Sequence, residues 1–248
     1  MKNSKKTRIH PISSTSLKSF HLNSNFNLDS IEHLKSIRNE LDSLINSEIA
    51  KLSKYCTHIS AYSLILEENT PLYKSVEQKV LKLPSEEASL KQYNYACKKL
   101  NKYGFYRYEV SNFCKKGFES KHNLKYWQMQ EYIGFGIASH SFMSGERIEN
   151  PASFSKYCKY VDGCEQNKKE IISKKQLKEE YIMLQLRTAK GLNIKEFNSV
   201  FDCDFLRDKQ NIINKFKLEK LIEENNGLLR ATNSGFCVLN QIIIQLID

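Results

Sequence analysis

Residues 86–110 have the sequence EEASLKQYNYACKKLNKYGFYRYEV, which joins a helical pattern to a strand pattern. Four apolar side chains recur three or four positions apart and would lie on one helix face: Leu90, Tyr93, Cys97 and Leu100. This spacing predicts a helix over Glu86–Lys102, which Gly104 would end. The next residues, Phe105–Val110, predict a strand. The stretch therefore predicts a helix followed by a strand.

The preceding residues repeat this order. Apolar residues at helical spacing from Ile31 to Leu52 predict a long amphipathic helix. The run HISAYSLIL, His58–Leu66, predicts a buried parallel strand that ends at the turn signal Asn69-Thr70-Pro71. A third strand is predicted within Ile133–Phe142. Helices alternating with buried strands predict an α/β fold with a parallel sheet, in which ligands bind at the carboxyl ends of the strands.

The last third of the chain has a different pattern. Helices are predicted at Ser153–Val161, Lys175–Arg187, Ile194–Val200 and Phe205–Glu224. A short strand, a Thr-Asn-Ser-Gly turn and an apolar helix follow within residues 227–246. This order predicts a small, mostly helical, winged-helix-like domain. We therefore expect three regions: a loose basic Ser/Asn-rich tail over 1–28, an α/β region over 29–150 and the helical domain over 151–248.

Composition and charge limit the possible functions. The chain has 248 residues, of which 40% are hydrophobic and 27% charged, as in a globular protein. Five of its bases and none of its acids lie in residues 1–28, so half of the net charge of +10 belongs to the tail. The winged-helix-like part carries about as many acids as bases, which argues against a nucleic-acid partner.

Membrane and disulfide patterns are also missing from the sequence. No run approaches the roughly 20 apolar residues of a membrane span, and no secretory signal pattern is present, so we expect a cytoplasmic protein. The seven cysteines show no C-x-x-C spacing, which favours reduced thiols over a disulfide framework.

Residues 103–142 concentrate aromatic, polar and glycine residues in a way that predicts a ligand pocket. Its candidate residues, with one from the preceding predicted strand, are Tyr62, Tyr108, Glu109, Asn112, Trp127, Gly134, Gly136 and His140. Structural roles remain open for each kind of residue. Polar groups such as Glu109 and Asn112 could instead fix a strand end, His140 could be a core histidine, and the glycines could allow close backbone approach.

Five segments occur in an order that resembles the HemW haem-chaperone family. They are HISAYSL (58–64), NTPL (69–72), YEVSNF (108–113), HNLKYW (122–127) and GFGIASHS (134–141). HemW proteins are radical SAM proteins related to oxygen-independent coproporphyrinogen III oxidase. The resemblance covers about residues 29–248. It implies the C-terminal part of a partial (β/α) barrel followed by the winged-helix-like domain.

The family's cofactor motifs do not occur in this sequence. The family opens with C-x-x-x-C-x-x-C, which holds a four-iron four-sulfur cluster that binds S-adenosylmethionine, and with a Gly-rich segment. Here Cys158 and Cys164 have five residues between them and lie in a predicted helix. Ala138-Ser139 also replaces the Gly-Ala that commonly precedes His-Ser in the fifth segment. We therefore expect an N-terminally truncated relative without the cluster, without S-adenosylmethionine and without radical chemistry by itself.

The resemblance identifies His122, Asn123 and Tyr126 as a haem-binding element. An imidazole nitrogen is a suitable iron ligand, so His122 would bind the haem iron, and Asn123 could orient that ligand. Tyr126 would share a helix face with His122. Three nearby or neighbouring cations could meet the haem propionates: Lys121, Lys125 and Arg107. The same residues could equally cap a helix and pack in a core.

Three functional classes follow. The first is a haem-binding, chaperone-like protein that passes haem to an acceptor protein. The second is a coproporphyrinogen III oxidase-like enzyme that works only with a complementing N-terminal half supplying the cysteines. The third is an inert fragment with exposed sheet edges.

Overall fold

A computed structural model of the chain describes residues 7–8 and 31–247, with side chains described from residue 39 onward. The chain divides into two compact units, residues 1–119 and residues 120–248. The expected boundary at 150/151 lies within the second unit. Apart from Thr7–Arg8, the predicted basic tail lies outside the described residues.

The first unit contains three helices and four short strands among its described residues. They are β1 (Thr7–Arg8), α1 (Ile31–Tyr55), β2 (His58–Ser60), α2 (Pro71–Glu77), α3 (Glu86–Lys102), β3 (Tyr106–Arg107) and β4 (Asn112–Cys114). The predicted helices over 31–52 and 86–102 are confirmed. Ser85 caps α3 at its start, and Gly104, with φ +81°, follows its end.

The strands of this unit form one sheet in the order β1-β2-β4-β3. β1 pairs with β2 in parallel, whereas β4 pairs with both β2 and β3 antiparallel. The expectation of a parallel sheet is therefore wrong for these two pairs, because the chain turns back directly after β3 to form a hairpin. The core below the sheet contains Ile49, Cys56, Ile59, Leu100, Phe105 and Phe113.

The predicted strand over 58–66 is too long. β2 ends at Ser60, and the N–H of Ala61 makes a last hydrogen bond of 2.8 Å to the carbonyl of Ser111. The apolar residues that follow, including Leu64 and Ile65, are exposed. Hydrophobicity alone predicted a strand here, but β4 offers no further backbone groups for pairing.

The second unit begins with α4 (Lys121–Trp127) and a three-stranded antiparallel sheet in the order β5-β6-β7. Its strands are β5 (His140–Met143), β6 (Glu146–Glu149) and β7 (Lys168–Ile171), with α5 (Phe154–Val161) between β6 and β7. The strand predicted within 133–142 is confirmed only from His140 onward. Gly136 and Ala138 have φ of +98° and +54°, so the chain before His140 is a loop.

The rest of the second unit confirms the winged-helix-like order. It runs α6 (Lys174–Leu186), β8 (Leu192–Asn193), α7 (Ile194–Phe201), α8 (Phe205–Asp208), α9 (Gln210–Leu218), β9 (Ile222–Asn225), β10 (Leu228–Ala231), α10 (Asn233–Cys237) and α11 (Leu239–Ile247). The sheet order is β8-β10-β9. Tyr181, Phe197, Phe201 and Phe205 form a buried aromatic cluster between the helices.

The single helix predicted over 205–224 is wrong in two places. Lys209, with φ −116°, separates α8 from α9, and Lys220, with φ +57°, follows the end of α9. Residues 222–225 are then a strand because they pair with β10 through a turn at Asn226-Gly227. Tertiary pairing overrides the helical spacing at this point.

Candidate functional site

The HNLKYW segment forms the short helix α4. Ser120 caps it, since its hydroxyl accepts a hydrogen bond of 3.4 Å from the N–H of Asn123. His122 and Tyr126 are four residues apart and lie on the same helix face, and both are exposed. The Nε2 atom of His122 lies 3.2 Å from the hydroxyl oxygen of Tyr126. The predicted sharing of a face is therefore confirmed.

A row of aromatic rings extends from His122. Its ring meets that of Tyr126 edge-on, with centroids 5.0 Å apart, and Tyr126 meets Tyr132 in the same manner at 4.8 Å. The ring centroids of Tyr132 and Phe142 are 6.5 Å apart, and the two residues also exchange two backbone hydrogen bonds of 2.9 Å. Burial raises the pKa of Tyr132, Tyr126 and Glu180 add to the rise, and Arg147 opposes it.

Helix α6 contacts α4 and β6, the two elements next to this row. The side-chain amide of Gln185 donates a 2.9 Å hydrogen bond to the carbonyl of Trp127, the last residue of α4. Glu180 forms a salt bridge of 2.5 Å with Arg147 of β6. The winged-helix-like part therefore contacts the elements that position the His122–Tyr126 pair.

The loop 133–139 has a backbone fixed by buried polar groups. Asn150 donates to the carbonyl of Gly136 at 3.0 Å and to the hydroxyl of Ser139 at 2.8 Å. The N–H of Gly134 donates to the Ser141 hydroxyl at 3.0 Å. Apolar side chains alternate outward along this loop, and Phe135 is 87% exposed. Gly134 and Gly136, the two glycines predicted from sequence, thus lie in a loop whose backbone is fixed by side-chain hydrogen bonds.

Of the remaining candidates in the second unit, His140 is exposed and begins β5 opposite Glu149. The interpretation of His140 as a core histidine is therefore wrong. Trp127 is half-buried, and so is Asn123.

The first unit brings two of the predicted residues, Glu109 and Asn112, together. Glu109 is 1% exposed, and its Oε1 atom has no hydrogen-bond partner. Burial raises the pKa of Glu109, while hydrogen bonds from the Asn112 side chain and from the backbone at 110–112 oppose the rise. Asn112 in turn accepts a 2.5 Å hydrogen bond from the Ser60 hydroxyl. These contacts cross-link the ends of β2 and β4.

Tyr108 and Tyr62 have different environments within this unit. Tyr108 is buried, with its hydroxyl 2.9 Å from Nε2 of His58. Tyr62 is 60% exposed in the irregular segment after β2. Arg107, a candidate for propionate binding, donates a 3.4 Å hydrogen bond to the Tyr93 hydroxyl, and burial raises the pKa of Tyr93 to about 12.

Several contributing residues were missed from sequence: His58, Ser60, Tyr132, Ser141 and Asn150. His58, Ser60 and Ser141 lie within the recognised segments, so their partners could have been sought there. Asn150 carried no signal, because a lone Asn before Pro151 is an ordinary turn residue.

The exposed donor groups on α4 are of the kind that suits haem iron. An exposed imidazole beside a phenol is a suitable donor set for haem iron, and Lys121 and Lys125 are exposed cations on the same short helix. Across the residues the structure describes, no group of three His, Cys, Asp or Glu side chains could hold a metal ion. Within the same residues, no helix is long and apolar enough to cross a membrane.

Comparisons with known proteins first define the class. Residues 172–238 match the HemN C-terminal domain, which coincides with most of the winged-helix-like part. The structure of the radical SAM enzyme coproporphyrinogen III oxidase (HemN) from Escherichia coli matches with a TM-score of 0.60 at 11% identity. That match covers 80% of this chain and 50% of HemN. The chain therefore has the mixed α/β fold of the HemN-type radical SAM proteins.

Sequence relatives then identify the family more narrowly. The chain is 33% identical over 200 residues to the haem chaperone HemW of Lactococcus lactis, covering 80% of this chain and 53% of that protein. It is 32% identical over 238 residues to HemW of Buchnera aphidicola, covering 92% and 59%. The resemblance to the HemW family is thus confirmed, and the chain is a HemW relative. It spans about half the length of the curated relatives it matches.

Proposed function

We propose that the chain binds haem as a HemW-like haem chaperone, with His122 as an axial ligand of the haem iron. The observation that carries the proposal is the exposed His122–Tyr126 pair on α4, in a chain related to haem chaperones. A neutral imidazole is a common protein ligand of haem iron. Haem is here the cargo, which an acceptor protein would receive.

The surroundings of His122 support this role. Lys121 and Lys125 are exposed on α4 and would pair with the haem propionates. Asn123, whose backbone is held by the Ser120 cap, would help to orient the ligand. Trp127 is the only tryptophan in the chain and lies on the same helix. It therefore provides a fluorescence signal for ligand binding.

Haemin titration tests the proposal. We expect haemin to quench Trp127 fluorescence with a micromolar Kd, and His122→Ala to weaken binding by tenfold or more. His140→Ala is the matched control, because His140 is also an exposed histidine of the second unit. Equal binding by wild type and His122→Ala would contradict the assignment of His122.

We also propose that the chain by itself carries out no radical chemistry. The sequence has no C-x-x-x-C-x-x-C, and a cluster that cleaves S-adenosylmethionine needs thiolates at such spacing. Anaerobic reconstitution with iron and sulfide should therefore yield no 5'-deoxyadenosine from the chain alone. Production of 5'-deoxyadenosine would refute this part of the proposal.

A second candidate function is a coproporphyrinogen III oxidase-like activity that depends on a complementing N-terminal half. The exposed apolar side chains of loop 133–139 favour it, since such side chains are common at contacts with a partner. Cluster reconstitution in a mixture of the chain with the N-terminal half of a HemW relative would detect this activity.

We also propose that the winged-helix-like part has no nucleic-acid role. Two of its cations are paired with acids of the β9–β10 hairpin: Lys217 with Glu224, and Arg230 with Glu223. These cations are therefore partly neutralised at the position where a winged helix would contact a phosphate backbone. We expect no shift of duplex DNA at moderate salt.

A further inference from the structure

In this structure Nε2 of His122, the nitrogen that would bind haem iron, already contacts the hydroxyl group of Tyr126. Nε2 lies 3.2 Å from the Tyr126 hydroxyl, within hydrogen-bonding distance. If the hydroxyl donates, it uses the lone pair that iron needs. If Nε2 carries the proton and donates, that nitrogen has no lone pair for iron. In both tautomers the contact must break before iron can bind Nε2.

A second ring contact, with Tyr132, holds Tyr126 next to His122. Its ring contacts Tyr132 edge-on at 4.8 Å, and Tyr132 is fixed by its two backbone hydrogen bonds with Phe142. Tyr132 is half-buried, unlike the exposed pair on α4. The position of the phenol therefore results from packing against Tyr132 as well as from its contacts with His122.

We propose that Tyr126 is a reversible cap on Nε2 of His122 and competes with haem iron for that nitrogen. The inference rests on the proposed function, because it concerns the same ligand. Haem enters when the phenol moves off Nε2, and the return of the phenol helps to release the iron. A cap of this kind keeps haem binding reversible, which suits a protein that passes its ligand on.

The cap can be tested without haem. Diethyl pyrocarbonate modifies the free nitrogen of a neutral imidazole, and the modified peptide is quantified by mass spectrometry. Tyr126→Phe keeps the ring contacts and removes the hydroxyl. We expect the rate of modification at His122 to rise about two- to fivefold, since a neutral hydrogen bond at an exposed site is weak. The rate at His140 should not change.

Haemin affinity provides the second readout. Tyr126→Phe should bind haemin about two- to fivefold more tightly, with the wild-type absorption spectrum. Tyr157→Phe is the matched control, because that ring contacts Tyr160 in α5 and not His122. Weaker binding with an altered spectrum would make Tyr126 a ligand and overturn the cap.

The two proposals fail in different ways. An unchanged modification rate at His122 in Tyr126→Phe overturns the cap, whatever the chain does with haem. A wild-type chain that binds no haemin overturns the proposed function, while the modification rate still decides whether Tyr126 shields Nε2.

Discussion

A methyl group placed on Gly134 would lie 2.2 Å from the carbonyl oxygen of His140 and 2.9 Å from its carbon. The two residues therefore approach backbone to backbone, at the point where the loop 133–139 closes onto β5. This contact explains the glycine without any ligand. The alternative of close backbone approach, raised from the sequence, is confirmed for Gly134.

Gly134→Ala should destabilise the second unit by about 2 kcal/mol or more, because the added methyl group would clash with the His140 backbone, which cannot rotate away. The free energy of urea unfolding measures this. Gly163→Ala is the comparison. The φ of Gly163 is +75°, and a methyl group added there would meet no atom of a non-adjacent residue within 4 Å. Only backbone strain of about 1 kcal/mol is therefore expected. If both variants lose the same free energy of unfolding, the close contact at Gly134 does not contribute to stability.

Asn150→Ala should loosen the loop 133–139 specifically. The side-chain amide of Asn150 bonds the Gly136 carbonyl and the Ser139 hydroxyl, and its carbonyl accepts from Asn167 at 3.2 Å. Removing these bonds should cost about 1–3 kcal/mol. Hydrogen exchange of residues 134–139 should accelerate at least tenfold. Exchange that stays unchanged would show that the loop does not depend on Asn150.

The buried carboxyl of Glu109 should make stability depend on pH. Burial raises its folded-state pKa above the unfolded value, so its contribution is fully present below the unfolded pKa and is lost as pH rises through the folded pKa. Glu109→Gln does not titrate. The variant should therefore gain stability relative to wild type as the pH is raised from 4 to 8, because only the wild type loses the contribution of the protonated carboxyl. A difference that stays constant over this range would contradict a raised pKa.

The thiols should differ in reactivity according to burial. Cys114 is fully buried, and burial raises its pKa to about 11, whereas Cys164 is exposed. With iodoacetamide at pH 8, we expect Cys164 to be alkylated roughly a hundredfold faster than Cys114. Labelling after denaturation should equalise the two rates. Rapid alkylation of Cys114 in the native chain would contradict its place in the core.

The sequence predicts the two long helices of the first unit well and the strands poorly. Helix α3 has the predicted bounds, because its apolar spacing and its Ser85 cap are local signals. The ends and directions of β2, β3 and β4 depend on which backbone groups find partners, and no local pattern records this. Hence HISAYSLIL predicts one long strand, although backbone pairing stops after Ala61.

The candidate site was predictable where neighbours in sequence are also neighbours in space. His122 and Tyr126 are one helical turn apart, so their contact follows from the i, i+4 spacing once α4 is a helix. Tyr132 and Asn150 act across a loop and a sheet, and their positions required the structure. The haem role itself came from the family resemblance, since spacing alone left helix capping and core packing open.

The most direct test of the central claim is chemical rescue of the haem ligand. Haemin is titrated into the wild-type chain and into His122→Gly, and the Soret spectrum is recorded with and without free imidazole. We expect the Soret spectrum of the wild type to be lost in His122→Gly and to be restored when free imidazole fills the vacated position. Identical spectra for wild type and His122→Gly, without imidazole, would contradict ligation by His122.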